Sequence, residues 1–211
     1  MNVNAATGDL IVLVADKSMF QAISGLLRRS QALGVRGIDY QVSVHQQHDA
    51  GCRLDAAAFL RPFAGRFEHA LVLFDREGCG SEAPREEIEE QVEGELRKNG
   101  WGCRARTVVI DPELETWIWA PSARLARELG WGTSFRELRD WLAASGLWPA
   151  DAPKPPDPKA AMVEAMRARR RPKSAATFGR LGREMSFQGC RDSAFAKLRG
   201  ALMEWFPLVD P

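Results

Sequence analysis

Short apolar runs alternate along this chain with longer segments whose apolar residues recur every three or four positions. Residues 10–14, 71–74 and 108–110 are unbroken apolar runs, the pattern of strands buried on both faces. Residues 38–44 alternate instead, with Ile38, Tyr40, Val42 and Val44 on one side. Met19, Phe20, Ile23, Leu26 and Leu27 keep helical spacing behind Ser18, a natural cap, and Gly34 and Gly37 close that segment. Phe59, Leu60 and Phe63 mark a helix over 54–67, and Ile88, Val92 and Leu96 mark another opening at Pro84. Short helices are expected at 122–129 and 135–142. Beyond residue 150 only helical spacing remains, at 159–171, 174–185 and 192–206, the last with Phe195, Leu198, Leu202, Trp205 and Phe206 in one stripe. This order predicts an α/β fold. It is a mostly parallel sheet of about four strands, near residues 10–15, 38–44, 69–74 and 105–110, with helices on both faces and a helical C-terminal region after it. Residues 148–158 hold five prolines and read as a linker between an α/β domain over 1–147 and a helical region over 159–211 packed on it.

The apolar runs end in acid. Residues 71–80 read LVLFDREGCG, so Asp75, Arg76 and Glu77 follow a strand at a turn opened by Gly78 and Gly80. Residues 108–115 repeat the grammar, with Asp111, Pro112, Glu113, Leu114 and Glu115 after the run. The first run ends at Ala15 and Asp16. In open α/β sheets, ligands sit beyond the carboxyl ends of the strands, so these acids are candidates for one rim. The plainer alternative is helix capping. Asp111 has the form of an N-cap, with Pro112 first in the helix and Glu113 in its first turn; Glu115 then lies one helical turn from Asp111. Residues 45–52, with His45, His48, Asp49 and Cys52, read as a polar loop on the same rim, suited to substrate contact more than to a dedicated metal site. His69 and the pair Trp117 and Trp119 read as structural.

Composition narrows the classes. The chain has 211 residues and 45% hydrophobic content, ample for a real core. No apolar run approaches a membrane span, and residues 1–10 lack the basic-then-apolar form of a signal peptide. Cys52, Cys79, Cys103 and Cys190 form no CxxC pair, so a zinc knuckle is not expected and a cytoplasmic, reduced protein is the simplest reading. Of 29 Lys+Arg and 28 Asp+Glu, residues 153–211 hold 12 and 6, leaving 17 and 22 before them. An acidic sheet domain thus precedes a basic tail, which suits a metal site beside a polyanion surface and equally suits two halves that attract each other. Glu86, Glu87, Glu89, Glu90, Glu93 and Glu95 read as a solvated helix face. Arg167, Arg169, Arg170, Arg171 and Lys173 exceed what capping a helix end requires and are the candidates for nucleic-acid contact.

The motifs VLFDREG (72–78) and VVIDPELETWIW (108–119), with a helical tail carrying Ser174, Phe178, Asp192, Phe195 and Trp205, resemble the TOPRIM-like domains of small stand-alone bacterial proteins found among phage-defence genes. The whole pattern is similar to a component of methylation-associated defence systems. The resemblance implies Mg²⁺ or Mn²⁺ and phosphodiester chemistry. TOPRIM enzymes place a glutamate after the first strand and Asp-x-Asp after the third; here Asp16 and the series Asp75-Arg76-Glu77 stand in those places. Two readings follow. In the first, Asp75, Asp111 and Glu115, with Asp16 or Glu77, hold the metal, and His45 or His48 serves as general base or phosphate contact. In the second, the fold is a non-catalytic subunit binding other defence proteins through its Trp-rich C-terminal region.

Overall fold

The computed structural model describes residues 8–184, 190 and 192–208. Strands β1 (Gly8–Val14), β2 (Tyr40–Val44), β3 (Phe67–Asp75) and β4 (Ala105–Ile110) form one sheet in the order β2-β1-β3-β4, with every pair parallel. The helices are α1 (Lys17–Leu27), α2 (Ser30–Leu33), α3 (His48–Leu60), α4 (Arg85–Leu96), α5 (Ala123–Glu128), α6 (Phe135–Ala144), α7 (Pro158–Ala168), α8 (Ala175–Glu184) and α9 (Ser193–Trp205). All four predicted strands are present. The helix expected at 174–185 is α8; residue 185 lies outside the described residues, as do residues 1–7 of the stretch read for a signal peptide.

Register assigns the faces. Leu10, Val12 and Val14 share a side with their partners Tyr40, Val42 and Val44 on β2 and His69, Leu71 and Leu73 on β3. The Tyr40 hydroxyl donates to the Ser24 carbonyl of α1 at 3.3 Å, and His69 stacks on Trp205 of α9 with centroids 4.4 Å apart. So α1 and α9 cover that face. Right-handed crossovers then put α3 and α4 on the opposite face, because the chain passes from β2 back across β1 to β3. Helix α8 lies directly on α1: a Cβ at Gly182 would come within 2.5 Å of the Ala22 carbonyl oxygen, so only glycine permits this approach. The C-terminal third shares one core with the sheet, through Ala161, Met162, Phe178, Phe195 and Leu202.

The stretch 148–158, read from its prolines as a linker, is packed. Trp148 and Pro155 are buried, the Trp119 indole donates to the Pro158 carbonyl at 3.0 Å, and Lys154 donates to the Thr116 carbonyl at 2.8 Å.

Two local expectations are corrected. The polar stretch 45–52 is mostly helix: α3 starts at His48, and the chain re-enters the sheet at Phe67, where the sequence suggested continuing helix. The acidic face of α4 is not all solvated. Glu93 accepts the backbone N–H of Thr107 at 2.8 Å, and Glu89, only 4% exposed, accepts that of Val109 at 3.0 Å. These N–H groups belong to β4, the edge strand. Lys197 of α9 reaches both carboxylates, at 3.0 and 2.8 Å. An edge that would template unwanted pairing is thereby closed by side chains. The four cysteines are free thiols, and no described helix is long and apolar enough to cross a membrane.

Candidate functional site

Sheet order decides where chemistry can gather. The chain leaves β1 toward β2 on one side and returns to β3 on the other, so the carboxyl ends of β1 and β3 flank a topological switch point. Asp16 follows β1 and Asp75 ends β3. After β4 the chain bends at Asp111 and Pro112, runs extended through Glu113 (φ −161°, ψ 168°), and enters a 3-10 turn over Leu114–Trp117. That path carries Glu113 and Glu115 back over β3. One carboxylate oxygen from each of Asp75, Glu113 and Glu115 lies within 4.8 Å of the other two.

Each member is positioned by the backbone around it. Asp75 accepts the Leu114 N–H at 2.9 Å, and its own N–H donates to Asp49 of α3 at 2.8 Å. Glu113, 1% exposed, accepts both the backbone N–H of Lys159 at 3.1 Å and its ammonium at 2.7 Å. Glu115, 4% exposed, accepts the Lys173 ammonium at 2.9 Å. Burial pushes the Asp75 pKa well above the usual carboxylate range, and the neighbouring carboxylates of Asp49, Glu115, Glu113 and Asp16 push the same way. Burial also raises Asp49 and Glu113, the latter opposed by its bond from Lys159, while Glu113 in turn raises the ammonium.

The sequence-derived candidates divide. Asp75 and Glu115 meet. Asp111 does not join them: its side chain is 47% exposed and faces Arg76 at 3.7 Å, and it caps no helix, because the turn it was expected to open is not helical there. Glu77 is exposed, and its backbone N–H donates to the Pro112 carbonyl at 3.0 Å. Asp16 caps α1, accepting the Met19 N–H at 2.8 Å, close enough to act on Asp75 and Asp49 electrostatically. His45 is buried against Phe59 with centroids 5.4 Å apart. Its Nδ1 accepts the Gln47 N–H at 3.1 Å and its Nε2 lies 3.8 Å from Asp55, so both nitrogens face α3 and its N-terminal cap. His48 is exposed at the start of α3. Among the described residues neither histidine bonds to the carboxylate cluster. Sequence reasoning named Glu113 and Asp49 but left both out of the metal set, reading Glu113 as a first-turn acid and Asp49 as part of a polar loop. The signal for Glu113 was the i, i+2 pair Glu113 and Glu115 directly after a strand, which shares a face only where the backbone is extended.

The donor set fits a hard divalent cation. Opposite ligands of one Mg²⁺ stand about 4.2 Å apart and those of Ca²⁺ about 4.6–5.2 Å, twice the metal–oxygen distances. Only one pair among three ligands can be opposite, and adjacent Mg²⁺ ligands stand about 3.0 Å apart, so oxygens that lie within 4.8 Å of one another would have to close by up to about 1–2 Å to hold Mg²⁺ or Mn²⁺. Each carboxylate keeps lone pairs beyond the bonds named above.

No protein-family model, curated protein or solved structure matches this chain. The fold and site define it as a parallel α/β protein with a buried carboxylate cluster beside the sheet's switch point.

Proposed function

We propose that this chain is a TOPRIM-like, divalent-cation-dependent phosphodiesterase domain acting on nucleic acid in anti-phage defence. The observation that carries the reading is the convergence of Asp75, Glu113 and Glu115 within 4.8 Å at the carboxyl ends of two adjacent strands. These three side chains would hold Mg²⁺ or Mn²⁺, and the bound ion would supply an activated water and neutralise charge on the scissile phosphate. Asp75 fixes the cluster to the sheet through the Leu114 N–H, and Asp49 locks the end of β3 against α3. Lys159 and Lys173 bring positive charge to the same place, where phosphate oxygens also require it.

A second reading is favoured by those same lysines. With Glu113 and Glu115 each paired, the cluster also works as a clamp holding the C-terminal helices on the sheet of a non-catalytic subunit. The two separate in one experiment. Purified chain is incubated with plasmid DNA, linear DNA and RNA in Mg²⁺, Mn²⁺ or EDTA, beside Glu115→Gln. Metal-dependent cleavage that the variant loses supports the enzyme. No cleavage, together with no metal-induced rise in melting temperature, overturns it.

A further inference from the structure

Four helices among the described residues end in the same way. After α2, α5 and α6 the next turn is closed by Gly34, Gly130 and Gly146, with φ of 79°, 87° and 71°. Each donates its N–H three residues back, and the following residue donates five back: Val35 to Ser30, Trp131 to Ala126, Leu147 to Leu142. This is the left-handed helix stop that favours glycine, because a Cβ is strained there. Helix α7 ends on identical bonds, Arg170 to Arg167 at 3.0 Å and Arg171 to Met166 at 2.9 Å, yet its left-handed position is Arg170, with φ 53°. An arginine stands where three sister turns use glycine.

We infer that this turn, residues 169–171, is a clamp for the phosphate backbone of duplex nucleic acid, gripping with Arg170 and Arg171. The basic stretch separates into anchors and free groups. Arg169 lies 3.8 Å over the ring of Trp131, whose indole is tied to the Ala165 carbonyl at 3.1 Å. Lys173 is bound to Glu115 at 2.9 Å, and Arg167 faces Glu164 at 3.5 Å. The stem of Arg171 rests on Gly130, where an added Cβ would come within 2.8 Å of its Cγ. On α5 and α8, Arg124 pairs with Glu184 and Arg180 with Glu128, while Arg127 and Arg183 stay exposed. Arg170 and Arg171 are exposed and have no acidic partner among the described residues. Two guanidinium groups on a fixed turn suit bidentate phosphate contact. Trp131 is covered by Arg169 and 6% exposed, so the turn offers no ring on which unpaired bases could stack. Backbone contact to a duplex, without sequence preference, is what remains. The choice of nucleic acid rests on the function proposed above, since Lys173 joins this turn to the carboxylate cluster; the anchoring of the turn does not.

The test uses the full chain in EDTA and a fluorescein-labelled 20-base-pair DNA of mixed sequence, read by anisotropy across salt concentrations. Arg170→Gly is expected to raise the melting temperature by relieving the backbone, while weakening binding about tenfold, the loss of one charge-assisted contact. The slope of log affinity against log salt should become shallower by about 0.9 for each phosphate contact removed, in Arg170→Gly and again in Arg171→Ala. Arg170→Lys should keep most of the slope. A stabilised Arg170→Gly with unchanged affinity and slope would make Arg170 only a poor helix stop and overturn the clamp. Tighter binding to single strands, or equal binding to inositol hexakisphosphate, would also overturn it. Because metal is absent, the cleavage reading can fail while the clamp stands, and the reverse.

Discussion

Asp75→Asn tests the cluster most directly. The amide oxygen can still accept the Leu114 N–H now bonded at 2.9 Å, and the new NH₂ faces the carboxylates of Glu113 and Glu115, which are acceptors. What the substitution removes is charge that burial and four neighbouring acids oppose. An Asp whose folded pKa exceeds its unfolded value of about 3.9 makes the folded state hold more protons, so stability falls as pH rises above that value and levels off at the folded pKa. The slope is at most ~1.4 kcal/mol per pH unit. For a chain of this size each kcal/mol moves the melting temperature by roughly 2–4 °C. In EDTA the variant should therefore match wild type near pH 4 and melt progressively higher above it, gaining up to ~3–5 °C per pH unit until the folded pKa is passed. With Mg²⁺ or Mn²⁺ at a hundredfold excess over its dissociation constant, wild type should gain about 2.7 kcal/mol and the variant much less. The assay is a melting series from pH 4 to 8, with and without metal. A gap that stays flat with pH refutes the electrostatic argument. A gap that widens with no response to metal leaves the charge argument standing and removes the ion.

Two further outcomes are expected. Burial lowers the His69 pKa; Nδ1 is buried without a partner among the described residues, the ring stacks on Trp205, and Asp9, Glu68, Arg104 and Glu204 are charged groups near it. Its folded pKa lies below the unfolded value of about 6.5, so its share of stability is lost as pH falls through that value, and His69→Phe should abolish this loss in melts between pH 5 and 7 while keeping the stack. A wild-type profile unchanged by the substitution would contradict it. Lys197→Met should cost about 2–3 kcal/mol in urea unfolding, because Glu89 and Glu93 lose their common cation at the β4 edge; a loss below about 0.5 kcal/mol would show the edge to be closed by the carboxylates alone.

The sheet was legible because three of its strands are apolar on both faces and β2 alternates. Residues 10–14, 71–74 and 108–110 are fully buried, and such runs stand out against amphipathic helices. The α4 stripe was legible for the converse reason: Ile88, Val92 and Leu96 recur at helical spacing and are buried. What failed was local geometry that depends on distant partners. Glu89 and Glu93 look solvated until β4 supplies N–H groups and α9 supplies Lys197. The start of α3 is polar because it meets Asp75 and the sheet rim rather than the core, so no apolar periodicity announces it. Asp111 was preferred to Glu113 on the premise that helix begins at Pro112. An extended residue at Glu113 turns Asp111 outward to Arg76 and Glu113 inward, which no propensity argument could fix.

The cations of the site have a common origin. Glu113 and Glu115 are almost fully buried, and buried carboxylates persist only when paired. Their partners come from the C-terminal third, Lys159 at the start of α7 and Lys173 in the connection to α8. The electrostatic need of the site is therefore also what docks the helical region, which explains how an acidic sheet domain and a basic tail share one core. Two ammonium groups carry the charge of one divalent ion. Lys159 and Lys173 already pair with the two glutamates, so a metal must compete with them rather than fill an unopposed acidic hole. Metal affinity should accordingly be modest. The connection that carries Lys173 also carries Arg170 and Arg171, so any ion that draws Glu115 away from Lys173 acts on the same short segment proposed to grip nucleic acid.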